Sequence, residues 1–499
     1  MTLLNRFTTT WIYMQNKNCN TEIIMIGVKN ILLFCILIFL TSSNIYSQII
    51  VAGGRHSLII CEDQTVQSWG YNGYGQLGTG NLTEQHSGHE VMGMTNVKGV
   101  AAGLFHSIFI KNDGTVWTCG RNNLGPLGNG NNSDQLIPVQ IISLSDIIQA
   151  AGGGEHSLFL KADGTVYSCG LNSSGQLGDG NNSNKNVPVK LNGLTNIVQV
   201  AAGAEFSLFL ENNGSVWACG HNGYGQFGNG TNASSKIPVK INNLSDISYI
   251  SAGEWHSIFV KKDGTVLSSG RNQYGQLGDG TTNNNLTASQ ILSLSNIIQA
   301  DAGGIHSVFV KSDGTVWSCG LNSGGNNDGQ LGDGTTIDRL IPVQVISSWT
   351  NGNIICAEAT REHSLYLKND GQVWASGRNN YGQLGYGSFT SSNSNISVHS
   401  NKICSALLSS LHQNQIENQI ISYFPNPSSS HINLHTTKVL TDASINIYNT
   451  YGKSIQQINS IQGKEITIFS DDLPRGIYFL QLMEDQNIIS NHKIIITNP

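Results

Sequence analysis

One position constrains this chain more than any other: His56, His106, His156, Phe206, His256 and His306 stand 50 residues apart, and His363 follows after a longer interval. A period of that length, sustained over seven units, marks a repeat architecture in which each unit is one supersecondary piece. The second unit shows the pattern in full. It opens on Val100-Ala101-Ala102-Gly103, continues as Phe105-His106-Ser107-Ile108-Phe109-Ile110, turns at Asn112-Asp113-Gly114, resumes as Val116-Trp117-Thr118-Cys119-Gly120, and ends on Pro138-Val139-Gln140. The last interval is longer partly because Asn326–Gly329 is inserted before the recurring Gln-Leu-Gly.

The apolar segments are short, rich in Val, Ile, Phe and Trp, and bounded by turn residues, which predicts strands, four to a unit. Asp-Gly at 113–114, 163–164, 263–264, 313–314 and 370–371, with Asn213-Gly214, joins the second strand to the third. These pairs predict a tight turn whose central residues both need positive φ. Only the first repeat departs, with Asp63-Gln64. Glycine, at 57 of 499 residues, is spaced rather than clustered, as recurrent turns require. A meander of this size cannot bury both faces alone, so the units must stack, and four-stranded units stacked radially form a β-propeller. A linear solenoid would need polar capping repeats, whereas the first repeat is an ordinary one.

The recurring Ala-Ala-Gly-x-x-His-Ser-Leu, Asp-Gly-Thr-Val-Trp, Cys-Gly-x-Asn and Gly-Gln-Leu-Gly-Asp-Gly resemble the RCC1 repeat, over about residues 48–400. The resemblance implies a seven-bladed propeller, in agreement with the count from spacing. How the ring closes stays open at this level, because Ile403-Cys404-Ser405-Ala406 echoes a first strand and offers a C-terminal closing strand.

Both ends of the chain carry a different signal. Ile31–Leu40 is a run of ten apolar residues behind Lys29 with small residues after it, the pattern of a signal peptide cut near Ser47–Gln48, with Met25 an alternative start. Ten residues are too few to span a hydrocarbon core, so no integral membrane span is expected after processing. Residues 1–47 are therefore set aside as the signal region, and 401–420 read as a linker. Beyond it, Tyr423-Phe424-Pro425-Asn426-Pro427, Ile445-Asn446-Ile447-Tyr448, Leu473-Pro474-Arg475-Gly476 and the terminal Lys493-Ile494-Ile495-Ile496 alternate apolar residues as a small β-sandwich does. Residues 421–499 resemble the C-terminal sorting domain of the type IX secretion system, which implies recognition by its translocon and a secreted or cell-surface protein. The expected fold class is thus all-β: a seven-bladed RCC1-like propeller followed by a small Ig-like β-sandwich.

Chemistry is hard to find. A net charge of −6, with 12% of residues charged and no block of Lys or Arg, argues against nucleic acid. The repeated histidine occurs too often to be an active site, and Phe206 replaces it without disturbing its repeat. It is expected to be structural, with its ring beside the first-strand glycine and bonded to backbone. Cys119, Cys169, Cys219 and Cys319 share one repeat position, held elsewhere by Ser269 and Ser376, and read as small buried residues. Asp179, Asp279 and Asp333 lack the spacing of calcium loops. No catalytic motif, metal site or cofactor site stands out, and a non-enzymatic protein is expected.

Function in a repeat protein sits where the repeats differ. The hairpins occupy one end of each unit, so the loop before the second strand and the loop after the third share the other. The first loop presents Arg55, Phe105, Glu155, Trp255, Ile305 and Glu362; the second presents Tyr71, Arg121, His221, Arg271 and Arg378. Arginine and aromatic residues are the composition of protein-binding hot spots. The expected partner is a protein or a surface glycan, unidentified. Family resemblance adds two rivals, a secreted enzyme inhibitor and a guanine-nucleotide exchange factor; a third is an enzyme such as a propeller glycan lyase, which a cluster of His, Tyr and Arg converging at one blade would support.

Overall fold

The structure is a computed structural model that describes residues 49–323, 328–346, 354–387, 394–399, 420–424, 431–449, 454–469, 473–474, 476–484 and 487–496. The expected signal peptide, nearly all of the expected linker and the Ile403–Ala406 segment lie outside the described residues.

Seven antiparallel four-stranded sheets follow one another, each made of consecutive strands in the order of the chain. The second runs Val97–Ala102, His106–Lys111, Val116–Gly120 and Gln135–Gln140. First strands of neighbouring sheets touch all the way round, and Ile354–Ala359 of the seventh meets Ile50–Ala52 of the first. This is a closed, seven-bladed propeller, with the first strands around the axis and the fourth at the rim. A solenoid is excluded.

The hairpins differ in detail from the sequence expectation. Lys111 N–H donates to Thr115 and Gly114 N–H to Lys111, a three-residue loop in which Gly114 alone takes positive φ (78°). The turn is therefore a type I turn followed by a left-handed glycine, and Asp113 keeps negative φ because its carboxylate accepts from Thr115 N–H at 2.9 Å. In the first blade Gln64 takes the glycine's place at φ 64°. The missing Gly costs that blade strain without changing its turn.

Blades are joined by apolar cores that span each seam. Leu58, Ile60 and Val66 of the first blade pack with Val100, Phe109 and Cys119 of the second. At the closing seam Ile50, Ile59 and Trp69 pack with Leu365, Leu367 and Leu384 of the seventh. Trp69 fills the place that holds Cys119 or Ser269 elsewhere, and its indole donates to the Gln383 carbonyl at 2.9 Å. A large ring with a directed hydrogen bond thus locks the joint where the chain's two ends of the propeller meet. The four repeat cysteines are buried, free thiols, and burial pushes each far up.

Near the axis the histidines do a second job. His56 Nε2 lies 2.9 Å from Ser107 Oγ of the next blade, and Ser107 Oγ donates to Gln76 at 2.7 Å. The serine's proton is committed, so the histidine donates. The same pair recurs as His106–Ser157, His156–Ser207, His256–Ser307, His306–Ser364 and, across the closing seam, His363–Ser57. The expected packing against glycine holds, since a Cβ on Gly53 would stand 2.3 Å from His56 Cε1. The hydrogen-bond partner is a side chain of the neighbouring blade, not backbone. Phe206 interrupts the relay at the fourth seam.

In the C-terminal module, His431–Asn449 is paired along its length with Ser454–Phe469, at its start with Ile420–Phe424 and at its end with Gly476–Glu484, which pairs Asn487–Ile496. Its strands share one core that includes Leu434, Ile445, Ile447, Tyr478, Leu480 and Ile496.

Candidate binding face

The residue before each second strand and the residue after each third strand are tied by one backbone hydrogen bond. Tyr71 N–H donates to Arg55, Arg121 to Phe105, Leu171 to Glu155, His221 to Glu205, Arg271 to Trp255, Leu321 to Ile305 and Arg378 to Glu362. The cause is register: His56 faces Gly70, and its counterparts face theirs, so the flanking residues meet at the end remote from the hairpins. All eleven residues singled out from the sequence therefore lie on one end of the ring, half-buried.

Two clusters organise that face. Around the first blade, Tyr71 stands edge-on to Tyr381 at 5.0 Å, and Tyr74 to Phe105 at 5.3 Å. Arg121 lies over both Tyr74 and Phe105 and pairs with Glu155 at 2.6 Å. Arg55 and Arg378 share Glu362, at 3.5 and 2.9 Å. Across the ring, Trp255 stands edge-on to His221 at 5.2 Å and to Tyr224 at 5.7 Å, while Arg271 lies over Tyr224 and Tyr274. The tyrosines three residues beyond the third strand thus pack and present surface at once. Arg55, Arg121 and Arg271 each lie over one or two aromatic rings.

Sequence reasoning missed three features. Arg361, the residue before Glu362, pairs with Glu254 at 3.3 Å across Gly304, at the mouth of the axial channel. Burial pushes the Glu254 carboxyl upward, against the pull of Arg361 and Arg271; Glu155 is raised likewise against Arg121. Deeper in the channel, burial and mutual repulsion raise Glu358, and burial raises Asp301 to about 6. Asp301 is held by Ser251 Oγ at 2.7 Å and Ala359 N–H at 2.8 Å. The signal was available, because Ser251, Asp301 and Glu358 stand where other repeats have Val51, Ala101, Ala151 and Ala201. The third feature is the placing of the cations. The propeller's arginines all sit at this end, with Lys185 and Lys236 where fourth strands begin, whereas Lys111, Lys161, Lys261, Lys311 and Lys368 close second strands beside the hairpins.

The loop aspartates serve the loops. Asp179 and Asp279 accept from Asn172 and Asn272, and Asp333 from Asn322 and from Arg339 at 2.7 Å. Among the described residues no group of three metal-ligating side chains converges.

Residues 134–423, 290 of 499, match the RCC1-like domain, and residues 48–76, 97–125 and 63–110 match the regulator of chromosome condensation (RCC1) repeat. The chain belongs to the RCC1-like domain family. Among solved structures, this RCC1-like chain is similar to Prp20p of Saccharomyces cerevisiae, studied for its binding to Gsp1p and histones, at 21% identity over 72% of this chain and 89% of that one (TM-score 0.61). Yeast RCC1 (Prp20) bound to Kap60 matches at 18% over 83% and 94% (TM-score 0.62). Human WBSCR16 matches at 23% over 64% and 85% (TM-score 0.57). Identities this low speak for the fold. Residues 422–497 match the secretion system C-terminal sorting domain, so this RCC1-like protein is exported through the type IX system to the outer cell surface or the extracellular space.

Proposed function

We propose that this exported propeller is a non-enzymatic binding protein that engages a partner protein through the arginine-aromatic face. One observation carries the reading: side chains of hot-spot type are gathered at one end of the ring and pre-set by contacts with each other. Rings and guanidiniums already held in place lose little freedom when a partner arrives, which favours affinity. A surface glycan is the second candidate, since the same rings could stack on sugar faces. An enzyme-inhibitor role would be a special case of protein binding. His221, Tyr224 and Arg271 do come together on this face, so a polysaccharide-cleaving role is the rival that a turnover assay decides.

The test is capture by the mature exported protein from culture supernatant and outer-membrane extract, repeated with Trp255→Ala and Phe105→Ala. Loss of tenfold or more in affinity for one defined partner, with the melting temperature kept, supports the face. Unchanged affinity in both variants, or turnover of a polysaccharide by the wild type, would overturn the reading.

A further inference from the structure

Comparing repeats at one position isolates Arg271. Arg121 of the second blade finds its counter-ion in Glu155, the residue before the second strand of the following blade. Arg55 and Arg378 share Glu362, Arg361 has Glu254, and Arg339 at the rim has Asp333. Arg271 stands where Arg121 stands, three repeats further on, and there the residue in the place of Glu155 is Ile305. Among the described residues no carboxylate oxygen comes within the 4.0 Å of an ion pair to Arg271. Its guanidinium is steadied instead by the rings of Tyr224 and Tyr274 and by Gln273 Oε1, which accepts from Nη2 at 2.6 Å and Nε at 3.2 Å. Glu254 feels its charge only at longer range and is held by Arg361.

We propose that Arg271 receives an aspartate or glutamate side chain of the partner protein, with apolar neighbours of that residue lying on Trp255 and Ile305. The inference rests on the face being the binding surface. Its physical basis is charge complementarity: a guanidinium already oriented by Tyr224 and Tyr274, with Trp255 against Tyr224 and Ile305 in the repeat place of Glu155, forms a stronger pair with an arriving carboxylate than one in open water does. The other arginines are satisfied within the face and offer no such vacancy.

The probe is a capped peptide, acetyl-Gly-Leu-Asp-Leu-Gly-amide, and its Asn counterpart, added to the mature protein while the indole N–H resonance of Trp255 is followed by NMR. At about 10 mM peptide, well above a dissociation constant of roughly 1 mM for one small contact, the Asp peptide is expected to shift that resonance and the Asn peptide to shift it at least fivefold less. Arg271→Gln abolishes the response, and Ile305→Glu, which supplies the missing counter-ion from within, does the same; Lys311→Gln, at the hairpin end, leaves it unchanged. Should Ile305→Glu fail to fold, Arg271→Gln decides alone. Equal response to both peptides, no response, or a response that survives Arg271→Gln overturns the inference. If it falls while partner capture still depends on Trp255 and Phe105, the face reading stands; if capture ignores those residues, the face reading is what has failed.

Discussion

Two residues joined by one peptide bond behave in opposite ways in every blade. The second of the pair, His56 and its counterparts, is almost wholly buried and nearly constant; the first, in turn Arg55, Phe105, Glu155, Glu205, Trp255, Ile305 and Glu362, is half-buried and of five kinds. The constant residue lies in a seam whose walls the arrangement regenerates: a glycine under the ring in six blades and Thr360 in the seventh, and a serine across the gap with its proton committed elsewhere. Histidine fills that environment in six blades and Phe206 in one. The variable residue faces outward at the ring's end, where the fold sets backbone position and nothing more. Uniformity marks the joint, and departure from it marks the surface that is free to be used.

Acid should break the constant half first. Burial lowers His56, His156, His256, His306 and His363 to about 3 and His106 to about 4, so all six are neutral in the folded ring near neutral pH. Below about pH 6.5 the unfolded chain takes up protons that the folded one refuses, and stability falls with pH by roughly 1.4 kcal/mol per unit for each histidine. Asp301 and Glu358 act in the opposite sense, being raised in the fold and so favouring it as pH drops toward the ordinary carboxylate range. Near pH 5 unfolding should therefore take up a net of about four protons, and against a stability of roughly 5–15 kcal/mol the ring should unfold at about pH 4–5. Calorimetry across the range checks this. A stability that is flat between pH 6.5 and 5 would remove the histidine relay from the account of what holds the blades together.

Substitution at one seam is the next largest effect. His256→Ala leaves a cavity and strips Ser307 of its donor, and should cost about 3 kcal/mol. His256→Phe copies what Phe206 already does at the fourth seam and should cost nearer 1 kcal/mol, the loss of a single hydrogen bond. Denaturant unfolding of both variants separates packing from bonding. Equal costs would mean that the hydrogen bond to the neighbouring blade carries the joint and that Phe206 is compensated elsewhere.

The constant half was legible in the sequence because it is periodic. Seven occurrences of one motif fix the number of blades, the strands and the seams without any contact being known. What escaped is what depends on an individual blade. The hairpins are three-residue loops because Asp113 binds Thr115 N–H, a preference that Asp-Gly alone does not distinguish from a two-residue turn. Trp69 could have been recognised at the cysteine position as the seam-closing residue, but its meaning needs the knowledge that the first and last blades meet. On the face, periodicity located the eleven positions, while the pairing did not follow from it. Glu362 answers Arg55 across the closing seam and Arg378 within its own blade, and Glu254 reaches past a whole blade to Arg361. Such partners are chosen by side-chain reach, on which sequence spacing is silent.

The variable half should respond in binding and hardly in stability. Trp255→Ala is expected to weaken a defined partner by ten- to a hundredfold, about 1.4–2.7 kcal/mol, while changing folding stability by less than about 1 kcal/mol. Its half-exposed ring leaves His221 and Tyr224 to each other. Fluorescence-detected unfolding beside an affinity measurement checks both parts, and a stability loss as large as that of His256→Ala would show Trp255 to be architecture, erasing the contrast between the two positions at this blade.

The smallest effect sharpens the contrast within the face. Glu362→Gln removes the charge that Arg55 and Arg378 share, leaving Arg378 and Arg55, which lies over the Tyr381 ring, with no carboxylate between them. Because the pairs are part-exposed, the change in stability should be no more than about 1 kcal/mol and should shrink with added salt. Its larger consequence is chemical: the patch around the first blade would then hold an unanswered Arg55 against an aromatic ring, as Arg271 is held on the far side. A second response to the acidic peptide, at the Tyr71 and Tyr381 ring resonances and absent from the wild type, is the expected result. If the variant stays silent there while Arg271 responds, then a guanidinium against aromatic rings is not enough to receive a carboxylate, and the apolar wall supplied by Ile305 and Trp255 is what sets the Arg271 site apart.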